Sequence, residues 1–281
     1  MCNPWVNISW KKTIADCDKN YPVKIGKQLF KFGSGSYVAY INRHDAQIKQ
    51  TGKGRPVELT FKDCLPEPYY GDINSDVYLL NMNPGKPDYA FCQKNDKTGA
   101  FEKYCQDMLI HQPNTPGLLY NNGTIIYHQT KYDSILNSIF NNKQVALFKK
   151  NRNQFPIRPH AGAVWQREAW GKLRNSLGRD PKVFIIEYFP YHSTSGFTFP
   201  KDLPSYAYRN DLIRQAMNAG KLIVIMRQAK KWYNIKDGNL GYNLLNYPNK
   251  LTLSCTGRIW LTPGNLVIPS NMTLANVLKK F

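Results

Sequence analysis

The chain has 281 residues, and its 38 lysines and arginines against 19 aspartates and glutamates give a formal net charge of +19 at pH 7. Such an excess of one sign, in a chain with 13% aromatic residues, favours nucleic acid as the partner; a basic protein of unrelated function is the alternative. The clearest apolar runs, residues 183–186 and 222–226, are far shorter than the ~20 residues that span a bilayer. We therefore expect no membrane partner.

The six cysteines and five histidines show none of the spacings typical of metal sites or disulfide frameworks. No C-x-x-C and no His-x-x-x-His occurs, and no apolar segment typical of a signal peptide follows Met1. These patterns predict a cytoplasmic protein with free thiols, without a metal or other cofactor. We further expect a monomer.

Few regular elements are predicted in the first 70 residues, where residues 11–19 suit a short helix. Residues 28–41 are typical of strand and turn, and residues 77–80 form an apolar run without a period, as in a strand buried on both faces. The breaker cluster at residues 81–85 ends that strand. Two helices are predicted next, at residues 101–111 and 131–148.

Strands and helices alternate in the second half of the chain. The predicted strands are residues 182–188, 221–226 and 251–254, and the predicted helices are residues 163–177, 205–218 and 272–280. This alternation indicates parallel βαβ units and predicts the α/β class, as a three-layer α/β/α sandwich with a central, mainly parallel sheet. Residues 1–65 are expected to form an N-terminal extension packed on a domain of residues 66–281.

Ligands of open α/β sheets bind beyond the carboxyl ends of the strands, so the segments after the predicted strands are the places to search. Residues 81–85 (Asn-Met-Asn-Pro-Gly) offer backbone N–H groups and an Asn amide that can hold a water; a plain turn is the alternative. Glu187 directly follows an apolar strand, where a carboxylate is costly unless paired; a helix cap or an ion pair is the alternative. Residues 254–258 and 262–266 form turns that suit contacts with phosphate and base, or that only cap the last helix.

Together these segments resemble the uracil-DNA glycosylase superfamily. Residues 81–85 are similar to its first motif, which is G-M-N-P-G in the single-strand-selective branch and G-I-N-P-G in the mismatch-specific branch. Residues 186–190 are similar to the strand that ends in N-x-C-P, and residues 254–258 are similar to the second motif, N-P-S-G or H-P-S-P-R. The order and spacing of the motifs cover residues 67–270, and only Met-Asn-Pro-Gly is identical. The fold that the resemblance implies is uracil-DNA-glycosylase-like.

The resemblance also implies roles for individual residues. Asn83 would position the water that attacks C1′ of the sugar, and Glu187 would face the Watson–Crick edge of the extruded base. Arg258 would enter the duplex and fill the gap. The expected base-binding residues are Met82, Tyr89, Phe91, Tyr191 and His192.

Contacts with DNA are expected from the turns after the last strand and from basic clusters. The expected DNA-binding residues are Ser254, Thr256, Arg258, Asn265, Lys149, Lys150 and Arg152. A further basic cluster lies at residues 49–55, and solvated charge without a ligand is the alternative for both clusters. Ser254 stands where the family has His or Asn, and Asn81 replaces the first Gly of the first motif.

Glu187 is the departure from the family pattern that bears most on the substrate. An ionised carboxylate only accepts hydrogen bonds, and cytosine offers an amino donor where uracil offers a carbonyl. Glu187 therefore predicts a cytosine-type, modified base, although a protonated carboxyl would donate and remove that preference. Bacterial members of the superfamily include anti-phage enzymes that attack modified cytosines in phage DNA, which makes defence one expected setting.

The sequence thus predicts a monofunctional DNA N-glycosylase, since none of the three motifs contains a lysine that could form a Schiff base; Lys86, next to the first motif, is the one residue that would change this. The alternatives are a uracil or damaged-base repair glycosylase, a non-catalytic nucleic-acid-binding module, and a nuclease or nucleoside hydrolase. A metal nuclease is disfavoured because the D-x-D at residues 16–18 does not follow a predicted strand.

Overall fold

A computed structural model of the chain describes residues 18, 21–25, 28–31, 37–41, 55–60, 68–71, 73–83, 120–121, 124–125, 173–179, 181–193, 202–255 and 260–281. The described strands are β1 (Pro22–Ile25), β2 (Gln28–Lys31), β3 (Tyr37–Ile41), β4 (Arg55–Thr60), β5 (Tyr69–Gly71), β6 (Val77–Asn81), β7 (Tyr120–Asn121), β8 (Thr124–Ile125), β9 (Val183–Glu187), β10 (His192–Ser193), β11 (Leu222–Ile225), β12 (Lys250–Leu253) and β13 (Leu266–Val267). The described α-helices are α1 (Tyr206–Asn218), α2 (Ala229–Tyr233), α3 (Leu240–Asn246) and α4 (Leu274–Lys280), and residues 173–177 are also helical.

Among the described residues, the largest sheet has six strands in the order β13-β12-β11-β6-β9-β5. The four strands between the edges run parallel, and β5 and β13 pair antiparallel at the two edges. Every residue of β6, β9 and β11 is buried, as expected for apolar strands without a period. The prediction of an α/β fold with a mainly parallel sheet is confirmed, and the glycosylase-like topology stays a prediction.

Helices contact both faces of this sheet. On one face, Val77 and Val183 belong to an apolar cluster that includes Leu173 of the helical residues 173–177 and Val277 of α4. On the other face, Phe184 stacks on Tyr69 with ring centroids 5.7 Å apart, and Tyr69 meets Tyr208 of α1 at 6.2 Å. Because both faces are covered, the strand ends are where the central strands remain open to a ligand.

The four central strands and the helices α1 and α4 lie within two residues of their predicted bounds. Strands β2 and β3 lie within residues 28–41, where strand was predicted, and the helix predicted at 163–177 is confirmed for residues 173–177. The turn predicted between β2 and β3, and residues 11–19 apart from 18, lie outside the described residues. The predicted helices 101–111 and 131–148 lie outside the described residues. The short elements β5, β13, α2 and α3 were not predicted.

Strands from the N-terminal part of the chain join the segment that follows β9. A three-stranded antiparallel sheet has the order β10-β4-β3, with His192 paired to Thr60. In addition, the carboxylate of Asp18, fully buried, accepts hydrogen bonds from the Tyr191 hydroxyl at 2.7 Å and from the Ser205 backbone N–H at 3.0 Å. The N-terminal part is therefore bonded to the segment after Glu187, while the domain boundary at residue 65 stays a prediction.

Candidate functional site at the carboxyl edge of the sheet

The four parallel strands end at one edge of the sheet, which we call the carboxyl edge. Its residues are 81–83 at the end of β6, 187–188 at the end of β9, 227–228 beyond β11 and 254–255 after β12. The strand order β9-β6-β11-β12 means that the chain leaves β6 on one side, towards β9, and then crosses to β11 on the other side. The topological switch point therefore lies between β6 and β11, and in open α/β sheets ligands bind outside the strand ends at such a point.

Asn81 and Glu187 lie side by side at this edge. They are the last registered pair of β6 and β9, and the Asn81 side-chain amide donates to Glu187 Oε1 at 2.9 Å. The Glu187 side chain is buried, with 3% of the residue exposed. Because a buried carboxylate is costly without hydrogen bonds, the amide of Asn81 helps to hold Glu187 at the strand end. The structure thus brings residues 81–83 and 187–188 together at one edge.

The pairing of these two segments continues beyond the strands. The backbone N–H of Tyr188 donates to Asn81 O at 3.0 Å, and that of Phe189 donates to Met82 O at 2.8 Å. Met82 is buried and Asn83 is half-buried. The backbone of Asn81 and Met82 is therefore held by hydrogen bonds, and the next residue, Asn83, is partly exposed at the carboxyl edge.

A buried arginine on α1 supports the turn after β9. The Arg209 guanidinium donates to the carbonyl of Tyr188 at 2.7 Å, and its Nε and Nη2 donate to Asn210 Oδ1 at 2.9 and 2.7 Å. It lies over the rings of Tyr206 and Tyr188, 3.9 and 4.4 Å from their centroids, and 5.8 Å from that of Trp232. These contacts compensate for the water that Arg209 loses on burial.

Burial shifts the pKa values of Arg209 and Tyr206 in opposite directions. It lowers the pKa of Arg209, which the neighbouring Tyr206 partly opposes, and it raises the pKa of Tyr206 well above its usual range. A guanidinium stays protonated at ordinary pH, and a phenol of raised pKa stays neutral, so the ring faces the cation as a neutral π-system. Sequence reasoning missed Arg209, because nothing local distinguishes it among 38 basic residues.

Arg227 is a second arginine that sequence reasoning missed, and it lies at the switch point. It directly follows Met226, whose backbone N–H donates to Leu80 O at 2.9 Å. The residue is half-buried, and within the described part of the chain its Nε has no hydrogen-bond partner and the side chain forms no ion pair. Burial lowers the pKa of Arg227, with no carboxylate to oppose the effect. The next residue, Gln228, has a left-handed backbone with φ 48°.

The turn after β12 is organised by Asn265. Its side-chain oxygen accepts from Ser254 Oγ at 2.7 Å and from the Cys255 backbone N–H at 2.8 Å, and its amide nitrogen donates to Trp260 O at 2.7 Å. Ser254 and Cys255 are exposed at the carboxyl edge. Asn265 therefore shapes this turn through both atoms of its amide, and its contact with DNA stays a prediction.

The other predicted site residues are placed less completely. Tyr191 is buried, with its hydroxyl on Asp18 and its ring 5.4 Å from that of Phe189, so its role in reading the base stays a prediction. The backbone of His192 lies in β10, and its side chain is outside the described residues. Tyr89, Phe91, Thr256, Arg258, Lys149, Lys150 and Arg152 also lie outside them.

Among the residues that the structure describes, no three His, Cys, Asp or Glu side chains are grouped so that they could hold a metal ion. In the same residues, no helix has the length and apolar character needed to cross a membrane. Comparisons of the chain with protein-family models, curated proteins and solved structures found no match.

Proposed function

We propose that the protein is a monofunctional DNA N-glycosylase, which flips a base out of DNA, hydrolyses its N-glycosidic bond and leaves an abasic site. The observation that supports this most is the pairing of β6 with β9. It brings residues 81–83, similar to the first motif of the uracil-DNA glycosylase superfamily, next to Glu187 at the carboxyl edge. The net charge of +19 supports a polyanionic substrate.

The chemistry suits this arrangement of residues. A base stacked inside a duplex must leave the stack before its glycosidic bond can be reached. Cleavage develops positive charge on the sugar and negative charge on the base, and fixed dipoles at the strand ends meet that demand without a metal. Asn83 is the proposed water-positioning residue, since it follows the fixed segment and is half-buried at the edge.

A modified cytosine is the proposed substrate class. An ionised Glu187 carboxylate, hydrogen-bonded to Asn81, would accept from an exocyclic amino group and repel the carbonyl of uracil, whereas a protonated one would not make this distinction. We propose that the protein is a cytoplasmic monomer that acts in anti-phage defence, a role that this preference fits. Repair of uracil or damaged bases is the alternative within the same chemistry.

The test is incubation of the purified chain with duplex and single-stranded oligonucleotides that carry cytosine, 5-substituted cytosines or uracil at one position. Alkali then converts each abasic site into a strand break. We expect breaks only after alkali and only at the modified base. Breaks without alkali would indicate a nuclease or a lyase, and a mobility shift without breaks would indicate a binding module.

A further inference from the structure

Arg227 flanks the first motif on the side opposite to Glu187. Since β6 lies between β9 and β11, the strand that ends in Glu187 and the strand that precedes Arg227 flank the end of β6 on its two sides. Ile225 pairs with Leu80, and the Met226 backbone N–H donates to Leu80 O, so Arg227 directly follows a backbone contact with the end of β6. This is the switch point where a ligand is expected.

The state of Arg227 is unusual for a structural residue. A half-buried guanidinium normally has a carboxylate, a carbonyl or an aromatic ring as its partner, as Arg209 does. Arg227 has no such partner in the described part of the chain, and its Nε is buried. The left-handed backbone at Gln228 is unfavourable for a residue with a Cβ, and such strain is concentrated at functional sites. An anion supplied by a ligand would satisfy the arginine.

The charges of the other residues at the carboxyl edge indicate which kind of anion Arg227 would bind. Apart from Arg227, the described residues of the edge are neutral or, in the case of Glu187, acidic. Ser254 and Cys255, the described residues directly after β12, bring no basic group to this edge. The reaction nevertheless develops negative charge on the departing base, and a donor aimed at such charge is usually among the largest contributions to catalysis.

We infer that Arg227 stabilises the negative charge on the departing base, an inference that rests on the proposed glycosylase function. The bond between C1′ and the base nitrogen breaks, and its electron pair stays on the base. The oxygen of water bonds to C1′, and the proton that this water loses neutralises the base anion, so atoms and charge balance. Arg227 holds the anion through its N–H groups between these two events.

The test compares Arg227→Gln and Arg227→Lys with the wild type in single-turnover base release. The substrates carry the 5-fluoro and the 5-methyl derivative of the base that the wild type releases; fluorine makes the base a better leaving group. We expect Arg227→Gln to lose ~10²–10³-fold on the 5-methyl base and only about 10-fold on the 5-fluoro base. Arg227→Lys should recover part of the loss, because it keeps the charge without the planar fork.

Arg214→Gln is the matched control, because Arg214 lies on α1 and pairs with Asp237 at 2.8 Å. It should release both bases at the wild-type rate. Equal losses on both bases together with weaker DNA binding would show that Arg227 holds a phosphate, and no loss would show that it is structural; either result overturns the inference. If the wild type releases no base at all, the glycosylase proposal itself fails, and the inference fails with it.

Discussion

Asn83 lies two residues after Asn81, and the Asn81 side-chain amide donates to the Glu187 carboxylate at 2.9 Å. The amide restricts the rotamers that this carboxylate can adopt. A carboxylate held in this way presents the same acceptor to each incoming base, and hence can discriminate between bases. The water-holding and base-reading roles that we propose are therefore separable by substitution.

Asn83→Ala should abolish base release and leave DNA affinity nearly unchanged. Loss of a group that positions the attacking water costs ~10²–10⁴ in rate. Single-turnover release and a binding titration on the same oligonucleotide measure the two effects. Asn246→Ala is the control, because Asn246 is exposed on α3 and donates to Tyr242 O. Near wild-type release by Asn83→Ala would contradict the water-positioning role.

Glu187→Gln should shift preference towards uracil. The amide keeps the length of the side chain and an oxygen for Asn81, and it adds the donor that uracil O4 requires. A mismatched donor–acceptor pair in a closed site costs on the order of 1–3 kcal/mol, which is ~10–100-fold in rate. Release rates from oligonucleotides that differ only in the target base measure the shift. Robust uracil excision by the wild type, without activity on cytosine derivatives, would overturn the assignment.

At the scale of elements, α1 connects the aromatic side chains on one face of the sheet with the turn that follows Glu187. Arg209 donates to the Tyr188 carbonyl and to the Asn210 side chain, and the Asn210 amide donates to Asp237 Oδ2 at 2.8 Å. The helix thereby supports both the turn after β9 and the short helical segments after β11. Its buried arginine is expected to contribute to stability more than any surface ion pair of the same helix.

Arg209→Met should lower the free energy of unfolding by on the order of 2 kcal/mol. The substitution leaves the Tyr188 carbonyl without its donor and removes the cation between two rings, although it also relieves the desolvation of a charge. Urea denaturation should show a lower midpoint with an unchanged slope. Arg214→Met, partly exposed on the same helix, should change stability by less than about 0.5 kcal/mol. Equal effects of the two variants would contradict the role of the cluster.

The elements that could be predicted are those whose signal is local. The runs that became β6, β9 and β11 are apolar throughout, and this pattern identifies a strand buried on both faces. The two-residue β13 and the three-residue β5 are too short for any pattern. The order of strands in the sheet depends on residues far apart in the chain. The sequence therefore indicates the segment after Met226 as a place to search, but it does not show that Arg227 lies near the end of β6.

Arg209 illustrates the same limit for side chains. Its carbonyl partner lies 21 residues away along the chain, and one of the rings beside it belongs to a different helix. Glu187 could be identified because a carboxylate interrupts an apolar run, but its pairing with Asn81 spans 106 residues. Sequence reasoning finds residues that are unusual for their own segment, and misses residues that matter through distant neighbours.

For the whole molecule, the net charge of +19 should make DNA binding strongly dependent on salt. Each neutralised phosphate contributes a slope of about −0.9 to the logarithm of affinity against the logarithm of salt concentration, so several contacts give a slope steeper than about −3. Titrations between low and physiological salt measure it. Lys221→Gln should leave the slope unchanged, because Lys221 precedes β11 at the opposite end of the sheet and pairs with Asp76 at 3.2 Å. A slope near zero would remove the case for a polyanionic partner.

The contacts of Asp18 also have a consequence for how the chain folds during its synthesis. Asp18 is separated from Tyr191 by 173 residues and from Ser205 by 187, and Thr60 of β4 is separated from His192 of β10 by about 130. At an elongation rate of 5–20 residues per second, the ribosome needs roughly 7–40 s to supply these partners. Throughout that interval β4 has one unpaired edge, which is the kind of surface that recruits strands from other chains. Faster elongation, or a chaperone that covers this edge, should therefore raise the yield of correctly folded protein.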